Sequence, residues 1–347
     1  MSTLTATHPT LLDVSKRLDQ DGSVAKVVEM LSQQNEIFDD MVWIEANQIT
    51  GHRTTIRSGL PTPTWRKLYG GVQPTKSRTV QVTDSMGMME AYAEVDKALV
   101  DLNSNAAAFR LSEDMAHIEG MNQEFTSSLL YANEATAPEE FTGLAPRYNS
   151  TTAENGRNII TDVAADAAPD GAAENSSMWL IVWGPNTIHG IYPKGSQAGL
   201  QITDKGVVTV ENVDGAGGRA EMYRTHYRWD CGLCVRDWRY AVRITFNKED
   251  LIPSSSASVA GTSGPNLINL MSRALRRIPN LNMGRPAFYA NSEVLDMIDL
   301  QSMNRSVMAF TNSDDAQGKM VTKFRQVPIR RVDAILNTEG STANGVS

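Results

Sequence analysis

Residues 46–83 contain no Asp or Glu, yet carry Arg53, Arg57, Arg66, Lys67, Lys76 and Arg78, a local charge of +6. Acidic stretches flank this segment on both sides. Residues 11–45 hold eight acids against Lys16, Arg17 and Lys26, and residues 84–140 hold twelve against Lys97 and Arg110. Within the basic segment, Gly59, Pro61, Pro63, Gly70, Gly71 and Pro74 exclude any regular element between 58 and 75. Before it, residues 41–56 read as extended chain. After it, Thr79, Gln81 and Thr83 alternate with Val80 and Val82 as in a strand. Two strands around a Pro/Gly tip make a long basic hairpin, whose apolar surface is too small to fold alone. The segment could be an ordinary solvated loop, reach nucleic acid, or rest on an acidic surface of its own chain or of a neighbour. The complementary charge in the same sequence favours a protein contact over nucleic acid.

The other elements supply candidate supports. Residues 105–131 read as a long helix, with Leu111, Met115, Ile118, Phe125 and Leu129 at three- and four-residue steps along one face, interrupted at Asn122. A first helix is read from a Ser23 cap to Phe38, with Val24, Val27, Val28 and Leu31 on one face. Residues 149–175 read as a polar loop, 178–246 as mostly strand with a turn or bulge near Gly232, and 253–264 as a flexible loop. A helix follows at 266–278, then a short strand at 287–289, a helix capped near Asn291 or Ser292, and strand again over 319–335 around Pro328. Strands and helices come in separate runs, so the fold class is α+β.

Composition narrows the functional classes. The chain has 347 residues, 41% of them apolar, enough for one large elaborated domain or about two. Its longest apolar run, 178–183, is strand length, well short of the ~20 residues a membrane helix needs. The N-terminus lacks the basic start and apolar core of a signal peptide. Two cysteines give no disulfide framework and suit a reducing compartment. A net charge of −8 argues against a surface that grips nucleic acid throughout.

Motifs that could carry chemistry fail on context. Gly70-Gly71-Val72-Gln73-Pro74-Thr75-Lys76-Ser77 approaches a phosphate-binding loop, but Thr75 replaces its second Gly and a strand follows where a helix N-terminus is required. Gly215-Ala216-Gly217-Gly218-Arg219-Ala220 fits a dinucleotide fingerprint and also runs into strand. Cys231-Gly232-Leu233-Cys234 stands alone, with no second pair, and His226 lies on the opposite parity from Cys231. Two buried thiols are the expectation, with no metal and no cofactor. The five histidines show no ligand spacing, and no Gly-x-Ser-x-Gly elbow occurs. The Arg-aromatic strands of 223–246 read as half-solvated strands with charge outward rather than as a base-stacking surface. No catalytic constellation remains, so the chain reads as a protein that builds something.

Its sequence words resemble one family. Met41-Val42-Trp43-Ile44-Glu45, Gly51-His52-Arg53-Thr54-Thr55, Trp65-Arg66-Lys67-Leu68, Phe109-Arg110-Leu111-Ser112-Glu113-Asp114 and Pro138-Glu139-Glu140-Phe141-Thr142-Gly143-Leu144 are similar to segments of the major capsid proteins of short-tailed bacteriophages. So are Gly190-Ile191-Tyr192-Pro193-Lys194-Gly195, Tyr227-Arg228-Trp229-Asp230 and Arg277-Ile278-Pro279-Asn280, and the likeness runs over 11–338. The resemblance implies the Hong Kong 97-like capsid fold. It would comprise an N-terminal arm (1–40), an extended loop (41–92), a peripheral domain (93–177) with its spine helix at 105–131, a mostly axial domain (178–310), and peripheral strands and tail (311–347).

It further implies a coat protein that self-assembles into pentamers and hexamers of an icosahedral head enclosing double-stranded DNA, located in the virion and assembled in the host bacterial cytoplasm. Implied partners are further copies of itself, a separate scaffolding protein, a portal and a decoration or cement protein. Packaged DNA would lie inside without sequence-specific binding, and no membrane is involved. The Lys, Asn and Glu of cross-linking relatives do not map onto this chain, so no cross-link is expected. The basic loop of one subunit (Arg53, Arg57, Arg66, Lys67, Lys76, Arg78) is then expected on an acidic acceptor (Glu113, Asp114, Glu119, Glu124) of its neighbour. The alternatives are a ring-forming head-tail adaptor or tail structural protein and, more remotely, a Cys-x-x-Cys oxidoreductase.

Overall fold

The structure, a computed structural model, describes residues 33–49, 51–102, 106–161, 175–211, 217–248, 251, 266–303, 310–314 and 320–339. The helix read from Ser23 lies mostly outside these residues, as does the loop read at 253–264. The chain forms two compact units, and strands β3 (Arg78–Asp96) and β8 (Arg219–Val235) and helix α3 (Ala106–Tyr131) contribute residues to both.

The larger unit contains 34–87, 127–198 and the chain from 231 onward. Its centre is β5 (Asn175–Trp183), buried at every position. That strand pairs antiparallel with β9 (Ala241–Asn247) on one side and β10 (Arg285–Ala290) on the other. Beyond β9 lies β4 (Ile159–Thr161), and beyond β10 come β13 (Val327–Arg331), β12 (Met320–Phe324) and β11 (Phe310–Asp314). A strand covered on both faces needs apolar side chains at both parities, which is why the run from Met178 to Trp183 does not alternate. Each large side chain there contributes about 1.5–3 kcal/mol of burial.

Helix α5 (Leu267–Arg277) packs against β9, burying Leu267, Leu270, Met271 and Ala274. The Asn266 side chain caps its start by accepting from the Asn269 amide, and Arg276 and Arg277 complement the dipole at its end. Helix α6 (Ser292–Met303) follows β10. Short elements complete this unit: α1 (Ile37–Asp40), α4 (Leu144–Arg147), and β1 (Trp43–Glu45), which pairs parallel with β6 (Ile188–Tyr192).

The smaller unit includes 88–126 and 199–230. Here β7 (Gln201–Glu211) pairs antiparallel with the first part of β8 (Arg219–Val235). The later part of β3 (Arg78–Asp96), α2 (Lys97–Leu102) and most of α3 (Ala106–Tyr131) pack with them. Ala93, Met121 and Tyr227 form one small core, with Phe125 stacked on Trp229 at 4.6 Å.

The structure corrects four readings. There is no turn at Gly232: β8 runs unbroken through it, and the chain turns instead at the 3₁₀ segment Trp238–Tyr240. The apparent parity switch arises because β8 is buried on both faces from Asp230 to Val235. Gly232 is needed for close approach, since a Cβ there would come within 2.8 Å of the Ser85 carbonyl. The polar stretch read as loop contains a 3₁₀ segment (Glu154–Asn158) and β4, which is too short to show periodicity and is set by its pairing with β9.

Arg243 is not turned to solvent, because β9 lies inside the sheet. It is 2% exposed, with its guanidinium paired to Glu339 at 2.8 Å. Finally, the apolar stripe of α3 is core only in its C-terminal half. Phe125 and Leu129 are buried, whereas Leu111 and Met115 are 60% and 58% exposed.

Candidate assembly interface

The basic segment folds as a hairpin. β2 (Gly51–Gly59) runs antiparallel to the start of β3, in register from Gly51 opposite Ser85 to Gly59 opposite Arg78, with one irregularity after Arg57. At its root, Asn47 brackets Arg53: the Arg53 amide donates to Oδ1 at 2.8 Å and Nδ2 donates to the Arg53 carbonyl at 2.7 Å. A Cβ on Gly51 would lie 2.9 Å from the Asp84 carbonyl, so only glycine lets the strands meet there.

At the tip, Arg66 Nε donates to the Gly70 carbonyl at 2.9 Å, and the Gly70 amide donates to the Lys67 carbonyl at 3.0 Å. Tyr69 takes a left-handed φ of 64° to close this turn.

The hairpin presents two kinds of surface. Arg53, Arg57, Arg66, Lys67, Lys76 and Arg78 are all exposed, and among the described residues none pairs with a carboxylate. The tip also exposes Leu60, Trp65, Leu68 and Tyr69, with Trp65 and Tyr69 essentially as open as in an extended chain (102% and 98%). Large apolar side chains concentrated on a projecting loop mark a surface that is covered by a partner. In the sequence, Trp65 and Leu68 draw notice only as part of a family segment, although an aromatic and leucine-rich patch among prolines is itself a signal of a contact surface.

The candidate acceptor on α3 is more mixed than the count of acids implied. Glu124 is exposed. Glu119 is half-buried, its Oε1 accepting from the Gln33 amide at 2.9 Å and from Gln123 Nε2 at 2.8 Å. Asp114 lies beside the buried hydroxyl of Tyr227, whose ionisation is opposed first by burial and then by this carboxylate. Glu113 is half-buried. On the same helix, Leu111, Met115 and Ile118 form an exposed stripe at one-face spacing.

Elsewhere in the smaller unit, charge is largely matched. Arg224 pairs with Glu94 at 2.6 Å, Arg110 with Asp204 at 2.8 Å, and Arg228 with Asp230 at 2.9 Å. His226 stacks on Tyr92 with ring centroids 4.5 Å apart. These strands therefore offer paired cations to solvent, not a free base-stacking row. The larger unit also holds a cavity of about 550 Å³ lined by Arg157, Arg239, Arg276, Arg277, Asn158 and Trp238. Its arginines come from three separate segments, so no local motif announced it.

The look-alike motifs fall on non-nucleotide geometry. Gly70–Ser77 is hairpin tip leading into β3, and Gly217 and Gly218 lead into β8. Cys231 and Cys234 are both reduced thiols buried within β8.

Comparison with known proteins identifies the architecture. The family model of the major capsid protein GP7 matches residues 19–343. A chain of the near-atomic cryo-EM structure of bacteriophage Epsilon15 is similar at 36% identity, covering 99% of this chain and 100% of that one, with a TM-score of 0.77. The bacteriophage JBD30 capsid matches at 9% identity over 88% of this chain and 92% of that one, with a TM-score of 0.46. No curated protein sequence matches. The α+β arrangement of hairpin, long helix and mixed sheet is that of the Hong Kong 97-like phage capsid fold.

Proposed function

This chain belongs to the major capsid protein GP7 family, a coat protein of the head shell of short-tailed bacteriophages, and from that premise we propose how its subunits hold one another. The protein associates with copies of itself in the virion capsid. In our reading, the hairpin of one subunit lies over the N-terminal half of helix α3 of its neighbour. There the six free cations meet Glu113, Asp114, Glu119 and Glu124, and Trp65, Leu68 and Tyr69 cover the stripe of Leu111, Met115 and Ile118.

One observation carries this reading. The hairpin and the helix each expose an apolar patch that an isolated chain would not leave open, and the charges around the two patches are opposite. A head-to-tail contact of this kind closes into rings, which supports pentamers and hexamers as the building blocks of an icosahedral shell around double-stranded DNA. In the same scheme, 1–40 is the N-terminal arm, 41–92 the extended loop, and 93–177 the peripheral domain with its spine helix. Residues 178–310 are mostly axial, and 311–347 return to the peripheral strands. The partners beyond the coat itself are a scaffolding protein, a portal and a decoration protein, with assembly in the bacterial cytoplasm. A net charge of −8 suits a shell that encloses DNA without holding it tightly.

The test is charge reversal. Arg53→Glu, Arg57→Glu and Arg66→Glu together should abolish shells in electron micrographs while circular dichroism shows a folded subunit. Adding Glu113→Lys, Asp114→Lys and Glu124→Lys to the same chain should restore part of the assembly. Normal shells from the triple variant would overturn the contact. A stable small ring from the unaltered chain, with its partner proteins present, would instead favour an adaptor.

A further inference from the structure

Four strands of the larger unit bring together residues that no local spacing connects. His52 on β2 stands directly opposite Asp84 on β3, and His189 on β6 directly opposite Cys234 on β8. Directly opposed residues of an antiparallel pair share a face of the sheet. The strand order β6-β8-β3-β2 then places the two pairs next to each other. One ligating atom each from His52, His189 and Cys234 lies within 4.8 Å of the other two. The two imidazoles stand nearly perpendicular, at 85°, with centroids 5.8 Å apart.

The polar atoms of this cluster are poorly satisfied. His189 is 1% exposed, and neither of its ring nitrogens makes a hydrogen bond of ordinary geometry, the Gly184 carbonyl being its one nearby backbone acceptor among the described residues. Asp84 is 3% exposed; its Oδ1 pairs with Arg147 at 2.8 Å, Oδ2 is left without a conventional donor, and the carboxylate lies beside the Cys234 thiol. His52 Nδ1 accepts from the Asn47 amide at 3.3 Å, which leaves Nε2 for another partner. Buried polar groups of this kind normally have a partner, because one left without loses its hydration and gains nothing in return.

We propose that this cluster is a structural site for a zinc-class divalent cation, held by His52, His189 and Cys234, with the neighbouring Asp84 carboxylate, which stands outside that 4.8 Å group, moving in as the fourth ligand. Two imidazoles, a thiolate and a carboxylate form a donor set suited to tetrahedral zinc. Around such an ion, neighbouring ligand atoms stand about 3.3–3.6 Å apart, so the three need to draw in by only about 1 Å. On binding, the Cys234 thiol gives its proton to solvent as Sγ bonds the ion. The thiolate and the carboxylate then neutralise the divalent charge, and Asp84 Oδ1 stays with Arg147. Arg236, the other nearby cation, is held away by Asn186 Oδ1 at 3.1 Å. Bound there, the ion ties β2, the first arm of the basic hairpin, to β6, β8 and β3. Cys231, the other half of the Cys-x-x-Cys, has no part in it.

The experiment uses the full chain, stripped with a chelator and reloaded with zinc alone or cobalt alone. Metal analysis should find about one zinc per chain, and the cobalt form should show a thiolate-to-metal charge-transfer band with tetrahedral visible bands. Cys234→Ala and His189→Ala should each weaken zinc binding by on the order of 100-fold or more, and Cys231→Ala should leave it unchanged. The cobalt spectrum of the unaltered chain keeps the proposal testable even if both site variants misfold. Substoichiometric zinc, a cobalt spectrum with no thiolate band, or folded Cys234→Ala protein binding zinc undiminished would each overturn it.

Discussion

Arg243 and Glu339 show how much a single buried pair organises. Both side chains are 3% exposed, and the guanidinium meets Glu339 Oε2, the Ser177 hydroxyl at 3.0 Å and the Tyr148 carbonyl at 2.9 Å, 5.4 Å from the Trp179 ring centre. Glu339 accepts in turn from the Ser177 hydroxyl and, at 2.5 Å, from Tyr131, while its own amide donates to the Asn175 carbonyl. Burial, and then the carboxylate itself, keep the Tyr131 hydroxyl protonated well above its ordinary range, so it remains a donor. The last described residue of the chain thus closes on its central strand. Glu339→Gln would leave a buried guanidinium without its counter-charge and should lower unfolding stability by about 3 kcal/mol in denaturant titrations. Replacing both partners by Met and Leu should cost less than the sum of the single changes, because two apolar side chains leave no orphaned charge.

At the scale of elements, the β12–β13 hairpin turns on Arg325 and Gln326, with φ of 47° and 75°. Two successive positive φ values mark a type I′ turn, a position that favours Asn and Gly, and neither occurs here. The exposed Gln326 gives nothing back for its left-handed backbone. Gln326→Gly should therefore stabilise the protein by roughly 0.5–1 kcal/mol, read as a rise of about 1–2 °C in the thermal midpoint. The helix read at 105–131 corresponds to Ala106–Tyr131 because its period is sustained over seven turns and Pro138 and Pro146 stand beyond it. The turn misplaced at Gly232 had the opposite cause: a change from one-sided to two-sided burial along a continuous strand imitates a change of register.

At the scale of the whole molecule, the proposed contact divides its work between charge, which would steer assembly, and apolar area, which would hold it. Raising ionic strength from physiological to about 1 M shortens the Debye length from about 8 Å to about 3 Å. Shell formation followed by light scattering should therefore slow markedly with added salt, while shells already formed persist, because the apolar contacts proposed for Trp65 and Tyr69 would not be screened. Equal rates at both salt concentrations would remove electrostatic steering from the contact. The +6 segment, its acidic flanks, the α+β succession and the family words could all be read from the sequence alone, because each is a property of residues close together along the chain. What only the tertiary structure decided depends on pairing between distant strands. It left half of the α3 stripe open, buried Arg243 on Glu339, and gathered His52, Asp84, His189 and Cys234 on one face. Local periodicity records that a strand exists, but which strand lies beside it, and in what register, follows from burial summed over the whole sheet.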